Sequence, residues 1–305
     1  MTLATDVERR PAIDAFATGL MIALTFSWGL NQVAIKVSNS GFNPVLSSVM
    51  RAVIAAACVY AWCRLRGIPL SVRDGTLRPG ILAGVLFGGE FVLLFFGLDH
   101  TTAARSVLML NTMPFWTLIG AHLFLGDRMT GMKLVGLLLA FGGVVVVFAD
   151  QLSLPDGSTL LGDLMCLGAG MLWAATIIVI KGSKLNDARP EQTLMYQLVV
   201  SALFALPLVP LAGPALREVT ALATGALLFQ SIYVVAFTYL LWFWLMRRYP
   251  APGLSSFAFL TPVWGVALGA LLLGDELSWR IVAALVMIGL GLIVVNRPAR
   301  VSPPA

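Results

Sequence analysis

Ten runs of about 20 mostly apolar residues, separated by short polar segments, form the main pattern of this sequence. They lie near 16–36, 45–63, 79–98, 104–124, 131–149, 160–181, 192–211, 223–246, 254–273 and 279–296. A helix that crosses a bilayer needs about 20 apolar residues, and no run alternates with the period of two that barrel strands require. The pattern predicts an all-α polytopic membrane protein with ten transmembrane helices.

The amino-acid composition supports a membrane protein. Of the 305 residues, 59% are hydrophobic and 11% are charged, whereas soluble domains carry roughly 25% charged residues. A globule of this length has too little interior to bury so much apolar surface, which excludes a soluble enzyme and a nucleic-acid binder. The cysteines and histidines have no metal-ligand spacing and no nucleotide-binding loop occurs, so we expect no cofactor, no metal and no catalysis.

The distribution of lysine and arginine predicts the orientation of the chain. With the N-terminus inside, the inner segments hold 15 of these residues and the outer segments hold 4, including Arg105, while Arg51 lies inside a span. Cytoplasmic loops carry the excess of positive residues. We therefore expect both termini to be cytoplasmic, as an N-terminal segment over 1–15 and a tail over 297–305.

Two motifs recur in the two halves of the sequence. A tryptophan followed by a lysine eight residues later occurs at Trp28 and again at Trp173, at an offset of 145. A Pro-x-Trp motif followed by Leu-Gly-Asp begins at Pro114 and again at Pro262, at an offset of 148. Matching motifs at matching spacing are difficult to obtain from hydrophobic composition alone, so the sequence indicates an internal duplication.

The duplication predicts two five-helix repeats, over residues 16–149 and 160–296, joined by an extracytoplasmic connector over 150–159. Because five is odd, the second repeat enters the membrane from the opposite side, and the repeats are inverted about a pseudo-two-fold axis in the membrane plane. Folds of this kind place their substrate site near the midplane, between the repeats. We therefore expect a central cavity there.

This arrangement, with the Trp…Lys pair closing the first helix of each half and the Pro…Leu-Gly-Asp motif ending the fourth, resembles the EamA-type drug/metabolite transporter superfamily over roughly residues 16–296. The aromatic-rich first half is most similar to the YddG-type amino-acid exporters. The resemblance implies a monomeric carrier of small molecules in a bacterial inner (plasma) membrane, working by alternating access. It also implies a cavity lined by spans 1, 3, 4, 6, 8 and 9.

Glu90 is the only acidic residue near the middle of a predicted span. Ionisable residues inside a membrane are costly and are by default functional candidates. Its carboxyl group is expected to face a cavity, where it binds a substrate ammonium or carries a proton. The alternative is a structural carboxyl group, protonated or hydrogen-bonded to a neighbouring helix.

Four further residues are candidates for direct substrate contact. Asn31 lies on one face of the first span with Trp28, and its amide both donates and accepts hydrogen bonds. Trp28 and Trp173 occupy equivalent positions and are expected to face each other across the axis, as aromatic walls that attract an ammonium. Asn111, beside the Pro114 break, completes the predicted site. The alternatives are a helix–helix hydrogen bond for Asn31, an interface anchor for the tryptophans, and a bond to a freed carbonyl for Asn111.

Pro114 and Pro262 are predicted to interrupt their spans, since a proline removes the hydrogen bond to the carbonyl four residues earlier. The freed carbonyls lie near Leu110 and Ala258. A break at matching points in both halves is typical of a transporter site, so we assign the two prolines to gating or cavity shape. A static kink is the alternative.

Span 8 carries the polar residues Gln230 and Tyr233, which share a helical face and are expected to make one side of the cavity polar. Core packing is the alternative for both. Arg51, which matches Gln197 in the second half, is expected to extend to the headgroups or to cap carbonyls. A stripe of small residues at four-residue spacing, Gly80, Gly84 and Gly88, is assigned to close helix contact.

These observations predict a secondary carrier that exports small metabolites, with amino acids, aromatic or otherwise neutral, as the preferred substrates. The alternative within transport is efflux of cationic drugs, which Glu90 and the tryptophans would hold. From another class, a lipid scramblase or an assembly scaffold would carry no solute. The lipid bilayer and a small-molecule substrate are the expected partners.

Overall fold

The computed structural model describes residues 10, 12–98, 100–101, 103–149, 157–273 and 279–296. Its helices are α1 (Ala15–Gly41), α2 (Pro44–Leu65), α3 (Leu77–Leu98), α4 (Ala103–Leu110), α5 (Met113–Phe124), α6 (Gly131–Phe148), α7 (Gly157–Lys181), α8 (Pro190–Ala205), α9 (Ala221–Leu228), α10 (Tyr239–Arg248), α11 (Ala251–Ser256), α12 (Leu260–Leu273) and α13 (Trp279–Val295). A π-helical segment, Phe229–Thr238, joins α9 to α10. The predicted segments 1–15, 150–159 and 297–305 lie largely or wholly outside the described residues.

The described chain contains nine helical stretches that are long and apolar enough to cross a membrane, and α13 is a further apolar helix of 17 residues. The protein is therefore a multi-pass helical membrane protein, as the apolar runs predicted. Several helices begin where the sequence supplies a cap. Asn43 precedes α2, accepts a hydrogen bond from the Leu46 N–H, and is followed by Pro44 at the first turn, where a proline costs no hydrogen bond.

The helices pair in a pattern that is preserved when the two halves are exchanged. α1 packs on α12, and the equivalent contact in the other half is that of α7 with α4 and α5. In the same way, α3 packs on α7, and the equivalent contact is that of α9 and the π-helical segment with α1. α3 also packs on α8 as the π-helical segment packs on α2, while α2–α8 and α6–α13 pair across the halves. These pairings are consistent with a duplicated chain; the ten spans and the inverted repeat stay predictions.

Glycines allow the closest of these helix contacts. A Cβ atom on Gly80 would lie 2.4 Å from the Tyr196 ring, and one on Gly84 would lie 2.5 Å from Val200. Both neighbours belong to α8, so the small residues of α3 form the close contact that the sequence predicted. Such contacts commonly hold helices together in lipid. The hydrophobic effect contributes little there, because lipid tails are as apolar as the side chains, and close van der Waals packing is needed instead.

Both prolines lie at helix beginnings. α4 ends at Leu110 and α5 begins at Met113, so Pro114 occupies the first turn of a new helix. In the second half, a 3₁₀ turn over Phe257–Phe259 separates α11 from α12, and Pro262 is the third residue of α12. Each span is therefore interrupted just before its proline, and the assignment of Pro114 and Pro262 to gating or cavity shape stays a prediction.

The N-terminal end of α1 is tied to the corner between α10 and α11. Asp14 caps α1 by accepting the Ala17 N–H at 2.8 Å, and it also accepts the Tyr249 hydroxyl at 2.9 Å and the Arg10 guanidinium. The Lys181 ammonium donates to the Tyr249 carbonyl at 2.8 Å. α1, α7 and the α10–α11 corner are therefore linked at this end of the bundle.

The ionisation of Asp14 is expected to make the stability of the fold depend on pH. The Ala17 N–H, with the Tyr249 hydroxyl and Arg10, holds the pKa of Asp14 below its ordinary value of 3.8. A lowered folded-state pKa stabilises the fold above the unfolded-state pKa, and this contribution is lost as pH falls through the folded-state value. We expect Asp14→Asn to unfold at a lower temperature than wild type at neutral pH, with the difference shrinking below about pH 4. Thermal unfolding in detergent between pH 3 and 7 measures this, and a constant difference throughout would contradict it.

Candidate functional site

A cavity of about 460 Å³ lies at the centre of the bundle. It is lined from both halves by residues of α1, α2, α3, α4, α6, α7, α8, the π-helical segment, α10 and α12. This lining is wider than the spans that the resemblance implied, because α2, α6 and α8 also contribute. Ligand cavities of about 300–1,000 Å³ are typical of small-molecule sites, so the volume suits a solute of amino-acid size.

Buried polar atoms without a hydrogen-bond partner are concentrated around this cavity. Among the described residues nine side-chain atoms are buried and unpartnered, and six of them belong to residues of the lining. These are Asn31 Oδ1, Asn39 Oδ1, Ser47 Oγ, Glu90 Oε2, Gln197 Oε1 and Thr261 Oγ1. An unpaired buried polar group costs about 1–3 kcal/mol, so their concentration at one cavity indicates a place for a polar ligand or water.

The cavity lining includes four of the predicted substrate-contact residues, namely Trp28, Asn31, Glu90 and Trp173. Asn31 and Glu90 are 7% and 5% exposed, and each has an oxygen without a partner. Asn31 sits on α1 and Glu90 on α3, so the tertiary fold brings together groups that are 59 positions apart. The structure thus places both residues in the lining of one cavity.

Trp28 belongs to an aromatic wall. Its ring packs edge-to-face against Trp242, with centroids 5.7 Å apart, and against Tyr239 at 6.2 Å. The indole N–H donates to the Thr238 hydroxyl at 3.0 Å, which fixes the ring orientation. These ring contacts join α1 to α10. Trp173 lines the same cavity from α7, and the facing of Trp28 and Trp173 across the axis stays a prediction.

The two helix breaks also reach the cavity. Leu110 and Asn111 line it in the first half, and Ala258, Thr261 and Pro262 line it in the second. The Asn111 amide donates to the Val107 carbonyl at 2.8 Å, so part of its hydrogen-bonding capacity stabilises the broken turn.

The two polar residues of span 8 differ in position. Gln230 lines the cavity, but its amide nitrogen donates to the Ala34 carbonyl and, at 2.9 Å, to the Ser38 hydroxyl of α1. Tyr233 lies outside the lining and is 40% exposed; its hydroxyl shares a hydrogen bond with Ser27. The expectation that Gln230 and Tyr233 share one face assumed 3.6 residues per turn, whereas a π-helix has wider i→i+5 turns. Tyr233 is therefore outside the cavity lining, and its contact with a substrate stays a prediction.

Arg51 was not predicted as a site residue, and the structure corrects the expected direction of its side chain. Its side chain lines the cavity instead of extending to the headgroups, and its guanidinium lies 4.8 Å from the centroid of the Phe91 ring. Gln197, its counterpart on α8, lines the same cavity and is 2% exposed. The sequence contained one signal for this pair, because a charged and a polar residue occur at matching positions inside apolar spans.

Comparison with known families gives one match, which occurs in both halves. The model of the EamA-like transporter family matches residues 15–149 and 160–297. Together the two matches cover most of the chain, including every helix that lines the cavity.

Several named proteins are similar to this chain over nearly their full length. One from Salmonella typhimurium (strain LT2), named a probable amino-acid metabolite efflux pump, is 30% identical over 309 residues, covering 95% of this chain and 98% of that protein. One of the same name from Escherichia coli (strain K12) is 28% identical, covering 89% and 92%. The uncharacterized transporter YoaV of Bacillus subtilis (strain 168) is 26% identical, covering 89% and 94%.

A solved crystal structure has the same fold. It superposes with a TM-score of 0.80 over 93% of this chain and 99% of the other, at 19% sequence identity. At this identity the likeness concerns the fold alone.

Proposed function

Because the chain belongs to the EamA-like transporter family, as the repeated motifs indicated, we propose that it is a secondary carrier that exports amino acids and related small metabolites by alternating access. The central cavity carries this proposal, since it is lined by helices of both halves and by residues with buried polar atoms that the protein leaves unpaired. The relatives named as probable amino-acid metabolite efflux pumps support amino acids as the substrate class. We place the carrier in a bacterial inner membrane, as a monomer with both termini cytoplasmic.

In this proposal the substrate lies between Trp28, Asn31, Glu90, Asn111 and Trp173, all of which line the cavity. The aromatic rings pack against the apolar side chain and attract an ammonium by cation–π contact. The Asn31 and Glu90 oxygens accept hydrogen bonds from the same ammonium group.

Alternating access requires the two halves to move about this site. The breaks before Pro114 and Pro262 occur at matching points and border the cavity through Leu110, Asn111 and Ala258. Broken helices have fewer internal hydrogen bonds to distort than continuous ones. We therefore assign the breaks to the bending that opens one end of the cavity while the other closes.

Two cavity variants test the proposal by counterflow of labelled amino acids in proteoliposomes. Asn31→Ala removes a polar partner and Trp173→Ala removes a wall, so each is expected to lower uptake by about tenfold or more, the equivalent of about 1.4 kcal/mol of binding. Trp279→Ala is the matched control, because Trp279 is 71% exposed on α13 and does not line the cavity. Full uptake in both cavity variants would refute the site, and the absence of amino-acid flux in the wild type would refute the proposed substrates.

A further inference from the structure

Two ionisable side chains of opposite sign line the central cavity. Among the described lining residues these are Arg51 on α2 and Glu90 on α3, and both are more than nine-tenths buried. Burying a charge is expensive unless a partner compensates it. A pair of opposite sign in one cavity therefore has either a structural or a ligand-binding purpose.

The contacts of the two groups argue against a purely structural ion pair. Both groups line the same cavity, but no hydrogen bond or ion pair joins these two described residues, and Glu90 Oε2 has no hydrogen-bond partner. A structural pair is favourable only with direct, well-formed hydrogen bonds. Here the guanidinium instead lies over the Phe91 ring, which holds it beside Glu90 without consuming its N–H donors.

The guanidinium donors are available to a ligand. Arg51 has no hydrogen-bond acceptor among the described residues, and an arginine side chain offers a planar fork that matches a carboxylate. Glu90 offers oxygens to an ammonium. Between them the cavity carries one acidic and one basic group, so a ligand with a net charge would leave one of them uncompensated.

We propose that Arg51 and Glu90 form a clamp for zwitterionic solutes, in which Arg51 binds the carboxylate and Glu90 binds the ammonium. The clamp specifies which ligands the proposed amino-acid exporter recognises. Its assignment to α-amino acids rests on that proposed function. It gives the site a selectivity that the aromatic walls lack, because those walls accept any apolar side chain or organic cation. Gln197, opposite Arg51 in the repeat and with an unpartnered Oε1, adds a neutral acceptor.

A set of matched ligands tests the clamp by ligand-induced thermal stabilisation and by counterflow. L-phenylalanine carries both charged groups, 2-phenylethylamine lacks the carboxylate, and 3-phenylpropionate lacks the ammonium; γ-aminobutyrate is a zwitterion that is not an α-amino acid. In the wild type we expect phenylalanine to bind at least about tenfold more tightly than either singly charged analogue.

The variants separate the two halves of the clamp. Arg51→Gln is expected to weaken phenylalanine about tenfold while leaving 2-phenylethylamine unchanged, and Glu90→Gln is expected to weaken phenylalanine while leaving 3-phenylpropionate unchanged. Arg64→Gln, an exposed arginine on the same helix α2, is the control. Arg51→Lys retains the charge without the fork and provides a second test if Arg51→Gln does not fold; it is expected to keep the preference for zwitterions with weaker binding.

The outcomes distinguish the clamp from the proposed function. Transport of phenylalanine by the wild type, with equal losses for all ligands in Arg51→Gln and Glu90→Gln, would overturn the clamp and leave amino-acid export standing. Stabilisation by γ-aminobutyrate without any amino-acid transport would overturn amino-acid export and leave the clamp standing. Tighter binding of 2-phenylethylamine than of phenylalanine would overturn the clamp and favour organic-cation efflux.

Discussion

Replacing Asp163 by alanine is expected to lower the free energy of unfolding by about 3 kcal/mol, at the lower end of the range for breaking a buried ion pair. Asp163 on α7 is 4% exposed and accepts hydrogen bonds from Arg105 of α4 through Nε at 3.0 Å and through Nη2, as well as from the Thr101 hydroxyl at 2.6 Å. Removal of the carboxylate takes the Asp163 ion pair and its hydrogen bonds away from a guanidinium that is largely buried. The lower end applies because both residues lie near the ends of their helices.

The double variant Arg105→Met with Asp163→Leu is the matched control for this prediction. Apolar residues of similar size often replace a buried ion pair at little cost, so the double variant is expected to recover most of the lost stability. Denaturation in mild detergent, followed by tryptophan fluorescence, measures all three proteins. A double variant that is no more stable than Asp163→Ala would show that packing, and not the uncompensated charge, causes the loss.

Gly291→Ala is expected to weaken the contact between α6 and α13 and to lower the free energy of unfolding by about 3 kcal/mol or more. Overpacking typically costs about 1–3 kcal/mol. A Cβ atom at this position would lie 2.5 Å from the Gly136 carbonyl oxygen and 2.7 Å from the Ala140 nitrogen. Both are backbone atoms, which cannot rotate away as a side chain can. The two helices must therefore separate, and apolar contacts along their whole length weaken.

Gly289→Ala provides the control on the same helix. No atom lies within 4 Å of a Cβ built on Gly289, and alanine is more favourable than glycine within a helix by about 1 kcal/mol. We expect Gly289→Ala to equal or exceed the wild type in thermal stability, whereas Gly291→Ala falls below it. Equal effects of the two substitutions would indicate that the close approach of Gly291 to α6 does not limit stability.

Much of the candidate site could be predicted from single positions. A polar residue inside an apolar run is recognisable in the sequence because lipid penalises it, and Asn31 and Glu90 were found in this way; both line the cavity. The prolines were found by their recurrence. What the pattern missed was local geometry: each predicted interruption is a helix end or a 3₁₀ turn just before the proline, and π-helical turns replace α-helical ones between Gln230 and Tyr233.

The direction of Arg51 could not be predicted for a different physical reason. α2 is apolar on nearly all sides, so its sequence does not indicate which side faces a neighbouring helix. That rotation depends on the packing of α2 against α8 and the π-helical segment. The same holds for Arg105, which counted as an outer basic residue in the sequence and is paired with Asp163 in the structure.

The sequence by itself determined that this chain is a multi-pass helical membrane protein of a transporter family, because apolar length and recurring motifs are properties read along one dimension. Only the tertiary structure decided which side chains meet. Groups from α1, α2, α3 and α8 are separated by up to 166 positions, as Asn31 and Gln197 are, and reach one cavity through helix rotations that interhelical packing sets. In lipid, hydrophobicity does not distinguish one face of an apolar helix from another. Packing between helices therefore determines which face of each helix turns toward the cavity.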